Sequence, residues 1–232
     1  MKILGLHCSP RGTASRTRRL VAAVLAGAGK AGAETELIDA ADLSIVPCTA
    51  CDACTLTGSC VHDDDVPLLL ERLQGADGIV WGSPVYVDNV SGQCKILIDR
   101  LADAMHYQLL FGKYGCAVAT THTSGAGAVT AYLNHVLGYL GVVAIGEVHA
   151  ALGDGAPALE EAEDAAASLG AALAAAIATH APYPEKEAII ADNRAFFSRI
   201  VVENRDWRPG AYEEWVARGW IDGTADGDDP HR

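Results

Sequence analysis

A loop rich in hydroxyl and arginine side chains lies near the start of the chain, between a short apolar run at residues 3–6 and an amphipathic helical pattern at residues 16–31. Its hydrogen-bond donors are Ser9, Arg11, Thr13, Ser15, Arg16 and Thr17. Ser15 is placed to cap the helix, whose free N–H groups and partial positive charge favour a phosphate. The loop has neither the dinucleotide-binding nor the Walker glycine pattern, and it suits a single terminal phosphate. An ordinary strand–helix turn with a capping serine is the alternative.

Four of the seven cysteines form a second motif. They are Cys48, Cys51, Cys54 and Cys60, spaced C-x2-C-x2-C-x5-C. A short C-x2-C-x2-C turn can bring three thiolates to one iron–sulfur cube, and a fourth nearby cysteine closes it. Structural zinc more usually joins two separated C-x2-C pairs; redox-active thiols and incidental cysteines are the remaining alternatives. The spacing favours a [4Fe–4S] cluster with these four residues as metal ligands.

The other cysteines, Cys8, Cys94 and Cys116, fall at predicted strands and helices, where a small hydrophobic role is the better interpretation. Residues 62–65, with the sequence His-Asp-Asp-Asp, resemble an acidic metal cluster. Asp65 is instead predicted to cap the helix that follows, and the acids beside it are predicted to be solvated.

The elements that position these loops alternate between strand and helix. Apolar runs predict strands at residues 3–6, 34–39, 78–82, 115–121 and 142–148, and helices at 16–31, 66–73, 91–104, 128–140 and 159–178. Right-handed crossovers then give an α/β fold with a doubly wound five-stranded parallel sheet. Its ligand site should lie beyond the carboxyl ends of the strands, where the loops starting near Ser9, Ser83 and Thr121 meet. The cysteine loop, residues 44–65, is expected at the same end.

Composition and net charge limit the classes of binding partner that this protein can have. The 232 residues are half hydrophobic, which is enough for one full core. The formal net charge of −13 argues against a nucleic acid or an anionic membrane as partner. The first residues read directly into a strand rather than a signal peptide, and the alanine-rich residues 165–179 are too short to span a bilayer. We therefore expect a cytoplasmic protein with reduced thiols.

A C-terminal arm, residues 181–232, follows the α/β domain of residues 1–180. A helix is predicted at residues 185–203, and the tryptophans Trp207, Trp215 and Trp220 follow it. A segment this apolar and aromatic must be covered by its own body or by a second subunit. Because aromatic residues are enriched at interfaces, we expect the arm to serve oligomerisation. The acidic last dozen residues are predicted to be disordered.

Three motifs in this chain resemble one protein family. They are Ser9-Pro10-Arg11 followed by Ser15-Arg16-Thr17, the four cysteines, and Gly82-Ser83-Pro84-Val85-Tyr86. Together they are similar to the flavodoxin-like NADPH-dependent FMN reductases, and more closely to the iron–sulfur flavoproteins among them. The arm, at residues 212–220, is also similar to a C-terminal segment of many relatives.

The resemblance implies which residues bind the cofactors. Ser9, Arg11, Ser15, Arg16 and Thr17 would hold the FMN phosphate, and Ser83, Pro84, Val85, Tyr86 and Val87 the isoalloxazine ring. Thr121, Ser124 and Gly125 would approach the ring from the loop after the fourth strand. Pro84 would fix the backbone so that N–H groups from Val85 onward face the flavin, and Tyr86 would stack on or flank the ring. A packed aromatic at a strand end is the alternative for Tyr86.

The implied function is that of an FMN-dependent oxidoreductase with one [4Fe–4S] cluster per chain, assembled as a homodimer or homotetramer. Electrons would come from NAD(P)H as co-substrate, or from a ferredoxin through the cluster. They would pass to a small acceptor such as a quinone, a nitro compound or oxygen. No residue is assigned as a catalytic acid or base. Two other functions stay open: a non-enzymatic flavin and iron–sulfur electron carrier, and a cysteine-based metal or redox sensor.

Overall fold

A single parallel sheet forms the centre of the computed structural model, which describes residues 1–153 and 156–223. Its strands are β1 (Lys2–His7), β2 (Glu34–Asp39), β3 (Gly78–Pro84), β4 (Tyr114–Thr121) and β5 (Val143–Ala151). They pair in the order β2-β1-β3-β4-β5, every pair parallel. The predicted α/β fold with a doubly wound five-stranded parallel sheet is therefore confirmed.

The helices connect the strands and continue into the C-terminal arm. They are α1 (Arg16–Lys30), α2 (Ala53–Thr57), α3 (Val66–Gln74), α4 (Gly92–Arg100), α5 (Ala102–His106), α6 (Ala126–Tyr139), α7 (Ala156–Thr179), α8 (Pro184–Glu203) and α9 (Pro209–Ala217). The sequence did not predict α2 or α9, and the single helix expected at residues 91–104 divides at Leu101 into α4 and α5.

Each face of the sheet carries its own apolar core, because alternate residues of a strand point to opposite faces. Leu4 and Leu6 of β1 are buried with side chains of α3, α4 and α6. Ile3 is buried on the other face with side chains of α1 and α7. Both faces are covered, so the strands read as nearly continuous apolar runs and were predictable from the sequence.

The C-terminal arm packs partly on its own chain. Trp215 is fully buried and its indole N–H donates to the carbonyl of His106 over 2.9 Å. Phe197 and Val201 are buried in the same small cluster, which also contacts Met105 and Tyr107. The expectation that a second subunit covers the arm was therefore wrong for these residues. Most of the acidic end predicted to be disordered, residues 224–232, lies outside the described part of the chain.

Among the described residues, no single helix combines the length and the hydropathy of a membrane span. Residues 157–179 and 184–203 reach the required composition only as a pair, and their axes are bent by 69°.

Candidate functional site

A cleft of about 270 Å³ opens at the carboxyl ends of β1, β3 and β4. Its lining residues are Ser9, Arg11, Ser15, Arg16, Thr17, Pro84, Val85, Tyr86, Thr120, Thr121, His122 and Leu152. The structure thus gathers the predicted phosphate loop, most of the predicted ring loop and Thr121 around one cavity. It also adds three residues that the sequence did not assign: Thr120, His122 and Leu152.

The phosphate-loop side of the cleft is built on the start of α1. The Oγ of Ser15 accepts a hydrogen bond from the N–H of Arg18 over 3.4 Å, as a capping serine does. Ser9 and Ser15 are buried in the cleft wall, whereas Arg11 and Arg16 lie exposed at its rim. This side of the cleft therefore offers short hydroxyl groups and two exposed guanidinium groups beside a helix N-terminus.

The four arginines of this region have different partners. The guanidinium of Arg18 binds Asp39 over 2.8 Å and that of Arg19 binds Glu163 over 2.6 Å. Within residues 1–153 and 156–223, no carboxylate pairs with Arg11 or Arg16. Only these two arginines line the cleft, so its positive charge is available to an anionic ligand.

Thr17 and Thr120 close the floor of the cleft. Their hydroxyls lie 2.6 Å apart and both side chains are buried. Thr120 follows Val118 on the α1 face of β4, and the period-two pattern of a strand contained that signal. Leu152 was missed because β5 extends to Ala151, beyond the predicted end at residue 148.

Ser83 does not line the cleft. Its buried Oγ accepts a hydrogen bond from the N–H of Ser91 over 3.0 Å, and Ser91 in turn caps α4 and donates to the carbonyl of Cys8. The hydroxyl predicted to bind the ring thus ties the β3 loop to α4. Its contribution to the cleft is to position the next residue, Pro84.

The backbone N–H groups predicted to face the flavin at Val85 and Tyr86 are already used. The N–H of Val85 donates to the carbonyl of Thr120 over 2.9 Å, and that of Tyr86 donates to Asn89 over 2.8 Å. This part of the prediction was wrong, because the chain turns back on itself in a tight hairpin. Val87 at its tip has a φ of +51° and a 99% exposed side chain, and it lies outside the cleft wall.

Within the loop after β4, His122 lines the cleft, whereas Gly125 approaches the β3 loop. Gly125 has a φ of +88°, and a Cβ there would lie 3.0 Å from Oδ1 of Asp88 and 3.3 Å from a methyl group of Val85. Ser124 is exposed, and neither residue belongs to the cleft wall. The backbone of Gly125 therefore buttresses the loop that carries Val85 and Tyr86.

A second cavity, of about 230 Å³, collects the four predicted cysteine ligands. Its walls are formed by Cys48, Thr49, Ala50, Cys51, Asp52, Cys54, Thr55, Cys60, His62, Asp99, Arg100, Ala102, Asp103, His106 and Arg208. We call this space the cysteine cavity. Within the described residues, no three Cys, His, Asp or Glu side chains converge closely enough to hold one metal ion between them.

A buried ion pair holds the cysteine loop to α4. Arg100 and Asp64 have side chains that are 1% and 0% exposed, and they form a bidentate contact. Arg100 also donates to the carbonyl of Val46 over 2.7 Å and to the Sγ of Cys60 over 3.3 Å. Although burial opposes it, hydrogen bonds from Arg100 and from the backbone N–H groups of Val46 and Val66 lower the pKa of Asp64 to about 2. The loop is thereby fixed in place with a cationic donor at Cys60.

The acidic run at residues 62–65 has a different role from the predicted one. Asp64 is buried rather than solvated, and its Oδ1 accepts from the N–H of Val66 at the start of α3 over 3.1 Å. Asp65 occupies the predicted N-cap position of α3 but makes no side-chain capping bond; its carboxylate accepts from the N–H of Ser44 over 2.7 Å. Both prediction errors have one cause, since tertiary contacts with Ser44 and Arg100 are invisible in the local sequence.

The cysteines differ in burial and in the surroundings of their thiols. At Cys51 the backbone N–H of Ala53 lowers the pKa of the thiol, whereas burial raises the pKa of the Cys54 thiol. Cys8, Cys94 and Cys116 are fully buried, and burial raises the pKa of Cys116 to about 12. These three behave as the predicted small hydrophobic residues, and the four predicted ligand cysteines all line the cysteine cavity.

The sequence and the fold correspond to a known family. A sequence model of the family "NADPH-dependent FMN reductase" matches residues 1–157, and the chain belongs to this family. Its five-stranded parallel sheet is that of flavodoxin-like solved structures.

Two curated relatives are named for a flavin and an iron–sulfur group, and a solved structure shares the fold. The chain is 39% identical to an iron–sulfur flavoprotein of Methanocaldococcus jannaschii over 130 residues, 56% of this chain and 67% of the relative. It is 35% identical to an iron–sulfur flavoprotein of Archaeoglobus fulgidus over 149 residues, 63% of this chain and 66% of the relative. A flavodoxin, WrbA-like protein from Agrobacterium tumefaciens superposes with a TM-score of 0.54 at 20% identity, covering 78% of this chain and 99% of that one. The matches thus span about two thirds of the curated relatives' length.

Proposed function

We propose that the cleft binds FMN, with the phosphate at the start of α1 and the ring against the β3 loop. Two structural features support the fit. Ser9 and Ser15 supply hydroxyls in the cleft wall, and Arg11 and Arg16 bring the cationic donors that line it without a carboxylate partner among the described residues. A dianionic phosphate at a helix N-terminus suits this donor set.

The residues of the chain would bind and orient the flavin, and the redox chemistry would be that of the flavin itself. Arg11 and Arg16 would neutralise the phosphate. Tyr86, 39% exposed beside Pro84, offers an aromatic surface for the ring. The N–H groups of Val87 and Asp88 donate to no backbone carbonyl among the described residues, so they replace those of Val85 and Tyr86 as the candidate donors to the flavin's polar edge.

We further propose that Cys48, Cys51, Cys54 and Cys60 hold a [4Fe–4S] cluster. The four residues surround one cavity, yet among the described residues no three ligand side chains converge on a point. A tetrahedral zinc site needs such convergence, whereas each thiolate of a cube binds a different iron and the cluster keeps the sulfurs apart. The hydrogen bond that Arg100 donates to the Sγ of Cys60 would also stabilise that residue as a cluster ligand.

The function we propose is electron transfer from NAD(P)H or a ferredoxin to a small acceptor, a quinone, a nitro compound or oxygen, in a homo-oligomer. The observation that carries it is the position of α4 between the two cavities. Ser91 at its start bonds to Ser83 and Cys8, neighbours of cleft residues, and Arg100 at its end lines the cysteine cavity. A nine-residue helix is about 13 Å long, so one short rigid element connects the two sites.

The test is anaerobic purification followed by an absorption spectrum and by iron, zinc and acid-labile sulfide analysis. We expect FMN together with four irons and four sulfides per chain, as a [4Fe–4S] cluster contains. Cys51→Ser should lose the iron and keep the flavin, while Cys116→Ala, at a buried cysteine outside the cavity, should keep both. Iron in the Cys51→Ser protein equal to wild type would contradict the ligand assignment.

Two further outcomes separate the alternatives. Steady oxidation of NAD(P)H with a soluble quinone would exclude a purely non-enzymatic electron carrier. A protein that stays colourless after FMN is supplied, and that contains zinc, would favour the metal or redox sensor.

A further inference from the structure

The C-terminal arm reaches the cysteine cavity. Its α9 packs against α2, which lies inside the cysteine loop. A Cβ on Gly210 would lie 2.7 Å from the hydroxyl oxygen of Tyr107, and one on Gly58 would lie 3.9 Å from the same atom. Arg208, directly before α9, is part of the cavity wall together with all four cysteines. A segment some 150 residues further along the chain thus completes the site.

Arg208 is held in this wall by an ion pair and by a cation–π contact. Its Nη1 donates to Oδ1 of Asp103 over 3.0 Å, and its guanidinium lies 5.4 Å from the centre of the Trp207 ring. The residue is 8% exposed. Its position is therefore fixed before any ligand arrives, and its cationic head cannot turn to solvent without breaking these contacts.

One donor of Arg208 has nothing to bind. Its Nε is buried and has no hydrogen-bond partner among the described residues. A buried guanidinium N–H left unsatisfied carries a desolvation penalty, and such groups are normally paired. An acceptor in the cavity would remove that penalty, and the sulfurs of an iron–sulfur cluster with four thiolate ligands are anionic acceptors.

We propose that the Nε–H of Arg208 donates a hydrogen bond to a sulfur of the cluster in the cysteine cavity. This hydrogen bond, with the charge of the guanidinium, raises the cluster's reduction potential. This inference rests on the proposed cluster. Reduction adds one negative charge, so a fixed cation and a hydrogen bond stabilise the reduced form more than the oxidised one. The arm, predicted as an oligomerisation element, thereby gains a role within its own subunit.

The test compares midpoint potentials of the anaerobic holoprotein, measured by redox titration monitored by electron paramagnetic resonance. Arg208→Gln should lower the equilibrium constant for reduction of the cluster at least tenfold, which for a one-electron couple lowers the midpoint potential by 59 mV. Arg208→Lys, which keeps the charge, should recover part of the loss. Arg199→Gln, which removes an exposed arginine of the same arm outside the cavity wall, should leave the potential unchanged.

Asp103→Asn separates a direct effect on the cluster from a loosened arm. This variant breaks the same ion pair but removes a negative charge from the cavity wall, so it should raise the potential. Opposite shifts in Arg208→Gln and Asp103→Asn support the proposal, and shifts in the same direction overturn it. If Arg208→Gln loses its iron, Arg208→Lys decides alone, because lysine keeps the charge but lacks the Nε–H: a potential below that of wild type supports the proposal, and one equal to it or higher overturns it.

The outcomes also distinguish this inference from the proposed function. Wild-type protein without iron and sulfide would refute the cluster, and the role of Arg208 with it. If wild-type protein has a full cluster and the Arg208→Gln variant has the same midpoint potential as wild type, the role of Arg208 is refuted and the proposed function stands.

Discussion

Arg11 and Arg16 differ from the two arginines beside them in what they contact. Arg18 and Arg19 are engaged by carboxylates and stiffen the start of α1, while Arg11 and Arg16 line the cleft. The same residue type therefore forms ion pairs within the protein at two positions and lines the cleft at two others. Sequence spacing alone could not make that division, because Asp39 and Glu163 are distant along the chain.

The contribution of Arg11 to flavin binding can be measured. If its guanidinium makes a charge-assisted bond to the phosphate, Arg11→Ala should weaken FMN binding by about 1.5–3 kcal/mol. Titration calorimetry on the FMN-depleted protein would measure the change. Arg19→Ala removes an equal charge from the same helix end, but one paired with Glu163, and it should bind FMN nearly as wild type does. Equal affinities for the two variants would contradict the assignment.

The side chains of the site show where prediction from the sequence ends. Ser9, Arg11, Ser15 and Arg16 line the cleft, as the strand–loop–helix pattern predicts, and their binding of FMN stays a prediction. Ser83 was assigned to the ligand although its hydroxyl serves Ser91. A motif gives residue types and order, and the partner of each hydroxyl depends on elements that the motif does not contain.

At the scale of elements, α1 and α7 pack unusually closely. A Cβ on Gly27 of α1 would lie 1.9 Å from the carbonyl oxygen of Ala167, and one on Gly170 of α7 would lie 1.8 Å from that of Val24. The two backbones are in direct contact at these glycines. The helix that supports the phosphate loop is thus held at a distance set by residues without side chains.

This contact predicts opposite effects for two glycine substitutions on one helix. Gly27→Ala should destabilise the protein by about 2 kcal/mol or more, because the added methyl group meets backbone that cannot move away. Gly29→Ala should stabilise it by roughly 0.5–1 kcal/mol, because the nearest atom is 4.0 Å away and alanine is the better helix former. Urea unfolding of both variants measures the difference. Equal stabilities would mean that α1 and α7 are not in backbone contact.

The elements differ in how well their own sequence specified them. The strands were predicted because both faces of the sheet are covered and each strand is an apolar run. The five residues of α2 are too few to display a helical period, and Asp52 before it has a φ of +59°, which no pattern indicates. Its place is determined by the cysteine loop and by α9.

At the scale of the molecule, the arm leaves one apolar face uncovered. Ile189 and Phe196 are seven residues apart on α8, and their side chains are 46% and 48% exposed. Residues at this spacing share a helix face. The predicted homo-oligomer would use this face, since exposed apolar patches of this kind mark interfaces.

Light scattering on the flavin-loaded protein tests the interface. We expect a dimer or tetramer for wild type, and Phe196→Asp should shift it toward the monomer because a buried unpaired charge is costly. Leu68→Asp makes the same chemical change at another exposed apolar residue, 55% exposed on α3, and should keep the wild-type mass. A wild-type monomer would refute the oligomer, and an unchanged mass for Phe196→Asp would place the interface elsewhere.

Because Arg208 and α9 close the cysteine cavity from the far end of the chain, the site is incomplete for a time during synthesis. At about 5–20 residues per second, the ribosome needs roughly 7–30 s to proceed from Cys60 to Arg208. During this interval a cluster held by the four cysteines, as proposed above, would lack the cation of Arg208. The finished chain still leaves Cys48, Cys51 and Cys60 exposed, so the arm would set the charge around the cluster without barring its entry.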